Sequence, residues 1–210
     1  TQKILMSIAY YQNKIKRLRN IFGAEDIRLQ SNAVVVDGMS YPVIDDVIVV
    51  LDPSQYPARV RDHLPDSTRS FSEPVAYAKE IQYHYARFWE EWSGILPYYE
   101  TEFNSYYDLV DFASLEGAVI MDADCGMGRW SYMLSQRCDA SEFVLVDFSE
   151  AIFTARRLMK DEERALFIMA DLTKLPFRED FADFIMALGV LHHLPVNCLD
   201  AVRDLGRFAP

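Results

Sequence analysis

The chain has 210 residues, half of them hydrophobic, and is therefore long enough to bury one sizeable core beside a small appendage. Its formal net charge of −11 argues against a nucleic-acid partner, because phosphate backbones are bound by basic surfaces. The three cysteines are widely separated, which argues against a disulfide framework or a structural zinc site and favours a reducing, cytoplasmic setting. No apolar run approaches the ~18 residues of a membrane-spanning helix, so we expect no membrane partner.

Residues 1–60 are predicted to form a small α+β accessory module. Apolar side chains at three- and four-residue spacing over residues 3–22 predict an amphipathic helix that stops at Gly23. Turn sequences at residues 37–38 and 45–46 separate short β-branched runs, which predicts a hairpin or small meander over residues 33–51.

Residues 61–116 are predicted to form a linker followed by aromatic-rich helices. Prolines and scattered charges over residues 52–72 indicate the linker, and helical patterns begin near Ser72 and again at Pro97. The tyrosines of this region either pack in a core, which we favour, or form a lid over a substrate pocket. They are Tyr83, Tyr85, Tyr98, Tyr99, Tyr106 and Tyr107.

Residues 117–210 alternate between strand-like and helix-like patterns. This alternation predicts an α/β fold, with a parallel sheet of about four strands covered by helices on both faces. The strands are expected near residues 118–122, 142–147, 165–169 and 183–188, and the helices near residues 129–138, 150–160 and 196–207.

The most informative motif lies at the end of the first of these strands. An apolar run ends in Asp122 and is followed by a turn that contains Asp124, Gly126 and Gly128. The turn resembles the first motif of class I S-adenosylmethionine-dependent methyltransferases, D-x-G-x-G-x-G, with Asp124 at the position of the first glycine. A nicotinamide-binding turn matches less well, because no third glycine or alanine follows three residues after Gly128.

The next two predicted strands also end in acids. In the family that the turn resembles, an acid at the position of Asp147 accepts hydrogen bonds from both ribose hydroxyls, and Phe148 would lie against the adenine. The alternative is that Asp147 merely opens a helix capped by Ser149. Asp171 and Leu172 resemble the family segment in which an acid accepts from the adenine amine and the next residue supplies a backbone N–H.

The fourth predicted strand and its following loop resemble those of methyltransferase type 11 proteins. By this resemblance Leu188 and Gly189 would pass beside the methionine part of the cofactor. His192 and His193 either pack and anchor the loop, which we favour, or shuttle protons; no acid or cysteine stands at metal-ligand spacing from them.

The four motifs together span residues 118–194, and residues 117–210 are identified as the N-terminal part of a Rossmann-like methyltransferase domain. The resemblance implies S-adenosylmethionine as the cofactor and methyl transfer to a small-molecule acceptor, with no catalytic base named. The alternative is a non-catalytic, truncated or degenerate relative that serves as an interaction or structural module. The candidate cofactor contacts are Asp122, Asp124, Gly126, Gly128, Asp147, Phe148, Asp171, Leu172 and Leu188.

Three features depart from the pattern of complete relatives. Asp124 adds a charged side chain where glycine lets the cofactor approach, so we expect cofactor binding to be weakened or lost. The chain ends after the fourth expected strand, which predicts an unpaired sheet edge and hence self-association or marginal stability. Residues 41–51 resemble the end of a zinc-ribbon-like module that precedes some of these domains, here without metal-binding cysteines.

Overall fold

The computed structural model describes residues 10–64, 82 and 94–210. The helix predicted from Ser72, together with Tyr83 and Tyr85, lies outside the described residues. The strands are β1 (Ile27–Gln30), β2 (Ala33–Val36), β3 (Met39–Ile44), β4 (Val47–Val49), β5 (Val119–Ala123), β6 (Glu142–Asp147), β7 (Ala165–Met169) and β8 (Phe184–Met186). The α-helices are α1 (Ile15–Phe22), α2 (Ala58–His63), α3 (Tyr99–Tyr106), α4 (Arg129–Ser135), α5 (Ala151–Leu158) and α6 (Cys198–Gly206).

These strands form one sheet in the order β1-β2-β3-β4-β7-β6-β5-β8. Strands β1 to β4 form an antiparallel meander, whereas β4, β7, β6, β5 and β8 run parallel to one another. The chain passes from β5 to β6 and β7 on one side and then returns to β8 on the other. In a Rossmann-like sheet such a reversal of strand order opens a crevice at the carboxyl ends of the strands.

The sheet is larger than the four strands that residues 117–210 predict. The added strands come from the N-terminal meander, whose last strand pairs with β7 through Val47 opposite Phe167 and Val49 opposite Met169. Residues 47–49 are fully buried, as is usual for a parallel strand covered on both faces. The turn signals predict a hairpin or small meander, but they do not indicate which strand pairs at its outer edge.

Side chains alternate between the two faces of the sheet and form two cores. One core contains Ile120 and Leu145 together with buried side chains of α2, α3, α4 and α5. The other contains Met121 and Val146 together with buried side chains of α1 and α6. Because both faces are covered, the carboxyl edge of the sheet is where polar side chains can collect.

Most element positions in the α/β part agree with the sequence patterns. Strands β5, β6 and β7 begin and end within one residue of the predicted bounds, and β8 is shorter than predicted. The helix predicted from Pro97 to about residue 112 is shorter than predicted: α3 ends at Tyr106, and a 3-10 helix follows at Phe112–Leu115. Tyr99 and Tyr107 are buried in the core, as the packing interpretation predicts, whereas Tyr98 and Tyr106 are more than half exposed.

Strand β8 is the last in the strand order, and β5 is its hydrogen-bonded neighbour among the described strands. Self-association through this edge stays a prediction. Within the part of the chain that the structure describes, no helix combines the length and the apolar character needed to cross a membrane.

A buried lysine lies between the N-terminal helical segment and the sheet. The Lys14 side chain donates from Nζ to the backbone oxygen of Ala165 at 3.3 Å, and Nζ lies 3.1 Å from the centre of the Tyr10 ring. Burial lowers the pKa of Lys14 from 10.5 to about 7, because the ammonium group loses its hydration. Between these two pH values the unfolded chain binds more protons than the folded one, so stability rises with pH across that window.

Replacing Lys14 by methionine removes this desolvation cost while keeping most of the side-chain length. We expect Lys14→Met to stabilise the protein by about 1–2 kcal/mol near pH 6, with the gain shrinking as the pH approaches 10. Thermal unfolding across this pH range measures the effect. The matched control is Lys16→Met at an exposed position of the same segment, which should change stability little. A gain that does not vary with pH would contradict the titration of Lys14.

Candidate functional site

The carboxyl end of β5 is held to the start of α4 by Asp122. Its side chain is buried, and its Oδ2 accepts a hydrogen bond from the Ser131 hydroxyl at 2.7 Å. Burial raises the pKa of Asp122 to about 7; the Ser131 hydrogen bond opposes this shift and the charge of Asp147 adds to it. Asp122 therefore fixes the strand–turn–helix unit while forming part of the crevice wall.

The turn between β5 and α4 has a left-handed backbone at Asp124, Gly126 and Gly128, with φ of 65°, 55° and 77°. A Cβ atom at Gly128 would lie 2.9 Å from the Cβ of Ala155 and 3.1 Å from a methyl carbon of Leu145. Glycine at position 128 therefore allows the turn to pack closely against α5 and β6. Gly128 is not among the residues that line the crevice.

The carboxylate of Asp147, at the end of β6, is engaged by donors of the protein itself. Its Oδ2 accepts from the N–H of Gly126, and its Oδ1 accepts from both the N–H and the hydroxyl of Ser149, each at 2.7 Å. A further hydrogen bond joins it to the carboxyl group of Asp124. A carboxylate offers about four acceptor positions, so these contacts occupy all of them.

Asp124 is the proton donor in this carboxyl pair. Burial, and after it the charge of Asp147, raises the pKa of Asp124 well above its ordinary value, which favours the protonated form of Asp124. The backbone N–H groups of Asp124 and Cys125 donate to the Val146 oxygen at 2.8 and 3.0 Å and hold the turn against β6. The residue that departs from the family motif is thus hydrogen-bonded to the carboxylate that the motif predicts as the ribose acceptor.

Asp171, just beyond β7, retains an open acceptor position. Its Oδ1 accepts from the N–H and hydroxyl of Thr173 at 2.9 and 2.7 Å, and its Oδ2 accepts from the side-chain amide of Gln55 at 2.9 Å. Burial acts to raise the pKa of Asp171, but the hydrogen bonds from Thr173 and Gln55 outweigh it and hold the pKa below its usual value. Asp171 is therefore an ionised acceptor at the crevice.

These side chains meet in one cavity of about 120 Å³ at the carboxyl edge of the sheet. Every candidate contact predicted from the sequence lines it except Gly128. The lining also includes Arg129, which is not among the contacts predicted from the sequence. Its guanidinium lies over the rings of Tyr99 and Trp130, 4.6 and 4.4 Å from their centres. The sequence signal for Arg129 is its position as a basic residue directly after the glycine turn, at the start of a helix.

The two neighbouring histidines lie at the far wall of the crevice. Their ring centres are 3.8 Å apart, both side chains are exposed, and His193 lines the cavity. Burial and the neighbouring His192 lower the pKa of His193, so its ring is neutral at pH 7. The exposed rings do not fit a packing role in a core, whereas anchoring of the loop stays a prediction. Across residues 10–64, 82 and 94–210 no group of three or more candidate ligands is arranged to hold a metal ion.

Comparison with known proteins identifies the domain that contains this crevice. Residues 120–208 match a family model described as a methyltransferase domain. This part of the chain is a methyltransferase domain. A crystal structure of an S-adenosylmethionine-dependent methyltransferase from Aquifex aeolicus has the same fold, with a TM-score of 0.50 and 20% identity over 59% of this chain and 66% of that one.

Two proteins of Arabidopsis thaliana are similar in sequence. A tRNA (carboxymethyluridine(34)-5-O)-methyltransferase is 29% identical over 131 residues, which cover 61% of this chain and 30% of the relative. An uncharacterised chloroplastic methyltransferase is 28% identical over 159 residues, which cover 71% of this chain and 42% of the relative. The chain thus spans less than half the length of either relative.

The residues of the crevice fit S-adenosylmethionine unequally. At the adenine end, Asp171 is ionised and has an acceptor position available, and Phe148 provides an apolar wall. At the ribose end, the acceptor positions of Asp147 are filled. Ribose hydroxyls can therefore bind Asp147 only if the hydrogen bond from Asp124 is broken. The ribose end therefore fits the group only if that one hydrogen bond is exchanged.

Removing the competing side chain should strengthen cofactor binding by the methyltransferase domain. We expect Asp124→Gly to raise the affinity for S-adenosylhomocysteine about tenfold, equivalent to ~1.4 kcal/mol, because one acceptor position is freed and glycine adopts the left-handed backbone without strain. Isothermal titration calorimetry measures this change. Asp124→Asn keeps a donor toward Asp147 and is the matched control, expected to bind as wild type does. Equal affinities of wild type and Asp124→Gly would contradict the competition.

Proposed function

We propose that the protein binds S-adenosylmethionine in this crevice and transfers its methyl group to a small-molecule acceptor. The observation that carries the proposal is the meeting of Asp147 and Asp171 in one cavity, at the ends of adjacent parallel strands and beside a left-handed glycine turn. Acids at adjacent strand ends can hold the two ends of an adenosine at once.

Different residues of the crevice contact different parts of the cofactor in this proposal. Asp171 accepts from the adenine amine, and Asp147 accepts from the ribose once Asp124 gives way. The Arg129 guanidinium suits the carboxylate of the methionine part by charge. When bound, S-adenosylmethionine supplies a methyl group on a positively charged sulfur, open to in-line displacement. The protein's own contribution is to orient the acceptor and exclude water, and no base is assigned.

Binding of the demethylated product tests the proposal directly. We expect wild-type protein to bind S-adenosylhomocysteine at one site, and Asp171→Asn to weaken binding about tenfold because a charged acceptor is lost. Calorimetry measures both. The control is Asp161→Asn, at a carboxylate that is 89% exposed, which should bind as wild type does. Wild-type protein that is folded but shows no binding at about 1 mM ligand contradicts the proposal.

A second candidate is a non-catalytic module that keeps the fold of the family. The observation that favours it is the closed carboxyl pair, in which Asp124 satisfies Asp147 without any ligand. In such a module the pair would serve the stability of the turn. The titration above separates the two candidates, because a structural module has no reason to bind S-adenosylhomocysteine.

The choice of a small-molecule acceptor rests on charge. A net charge of −11 repels a polyphosphate, even though one relative is named as a tRNA methyltransferase. We expect no binding to transfer RNA tighter than the roughly micromolar to 100-micromolar range of non-specific association. Fluorescence anisotropy with labelled transfer RNA at ~0.1 M salt measures this. Saturable binding in the nanomolar range would contradict the small-molecule proposal and favour an RNA acceptor.

A further inference from the structure

The N-terminal meander reaches the crevice through the segment that follows β4. Because β4 is parallel to β7, its carboxyl end emerges at the same edge of the sheet as Asp171. The pairing continues past the strand, since the N–H of Val50 donates to the oxygen of Met169 at 2.8 Å. The chain then forms a 3-10 helix at Pro53–Gln55. An antiparallel fourth strand would have delivered this segment to the opposite edge.

The 3-10 helix is fixed in place by its own hydrogen bonds. The carboxylate of Asp52 accepts from the N–H of Ser54 at 2.9 Å and caps the helix. The backbone oxygen of Gln55 accepts from the side-chain amide of Gln82 at 2.9 Å, and the same amide nitrogen donates to the oxygen of Phe148 at 3.2 Å. Gln82 is itself only 5% exposed. Gln55 is therefore tied to the loop after β6 and not left on a free surface.

From this position the Gln55 side chain determines how Asp171 faces the cavity. Thr173 supplies both donors to Oδ1, and the Gln55 amide donates to Oδ2 at 2.9 Å. One acceptor position of Oδ2 remains, and its direction follows from where the Gln55 amide lies. Without Gln55, Oδ2 would lose this constraint, and only the two hydrogen bonds from Thr173 to Oδ1 would restrain the orientation of the carboxylate.

We infer that Gln55 is a positioning residue for nucleoside recognition, through which the N-terminal strands help Asp171 to select an amino-purine over an oxo-purine. The inference rests on the proposed function. An exocyclic amine donates to the oriented carboxylate. An oxo group at the same ring position presents a second acceptor and leaves both oxygens without a donor, which is costly in a buried site. The selectivity depends on Asp171 being ionised and aimed at the purine edge.

The experiment compares two ligands that differ at this one ring position, S-adenosylhomocysteine and its deaminated analogue S-inosylhomocysteine. We expect wild-type protein to prefer the amino ligand by about tenfold or more. Gln55→Ala should reduce this preference at least fivefold by weakening the amino ligand alone. Gln55→Glu keeps the shape of the side chain but removes the donor, and should reduce the preference at least as much. Titration calorimetry gives both affinities for every variant.

The controls separate positioning from folding and from the proposed function. Ser54→Ala alters the neighbouring residue of the same 3-10 helix and should keep the wild-type preference. Unchanged affinity of Gln55→Ala for S-inosylhomocysteine supports positioning, because a collapsed site would lose both ligands together; an equal loss of both overturns the inference. Wild-type binding with a preference that Gln55→Ala leaves intact overturns the inference alone. Failure of wild type to bind either ligand overturns the proposed function and the inference with it.

Discussion

The carboxylate of Asp147 joins the three backbone segments that surround the crevice: the glycine turn after β5, the end of β6 and the start of α5. Gly126 and Ser149 donate to it from the first and last of these segments. Burial raises the pKa of Asp147, and a carboxyl group with almost no exposure is tolerated only if its polar atoms are hydrogen-bonded, so the turn and the helix start must stay where they are. The shape of the crevice and the stability of this part of the fold thus depend on one set of hydrogen bonds, and any ligand that needs Asp147 must compete for them.

Asp124 shows how that competition is balanced in this chain. A glycine at this position leaves one acceptor position of Asp147 open to a ligand and to water. Here the carboxyl group of Asp124 occupies the position, and its pKa is raised because two carboxyl groups lie side by side in a buried site. Aspartate is among the residues that adopt a left-handed backbone most readily, which explains why the substitution keeps the turn. The substitution therefore changes what Asp147 can bind and leaves the course of the backbone intact.

The sequence predicts what depends on neighbouring residues and misses what depends on long-range pairing. Apolar runs that end in Asp122, Asp147 and near Asp171 are local signals, and they place three strands and their acids at one edge of the sheet. The pairing of β4 with β7 is a contact between residues more than a hundred positions apart, and no local pattern encodes it. Strand β1 was missed because four residues of alternating character are too short to distinguish from a loop. The contact of Gln55 with Asp171 is not predicted for the same reason as the pairing of β4 with β7. Gln55 reaches Asp171 only when β4 is part of the sheet.

The placement of β4 also couples the N-terminal strands to the crevice from both ends. At its amino end, Asp46 in the preceding turn pairs with Arg156 of α5 at 2.9 Å, with both side chains largely buried. At its carboxyl end, Gln55 donates to Asp171. A ligand that binds the oriented Asp171 therefore binds the state in which β4 is paired with β7. By thermodynamic linkage, the ligand stabilises this pairing by the same free energy by which the pairing increases the affinity for the ligand. The meander is in this sense part of the binding site, although its sequence carries no motif of the family and its strands lie outside residues 120–208.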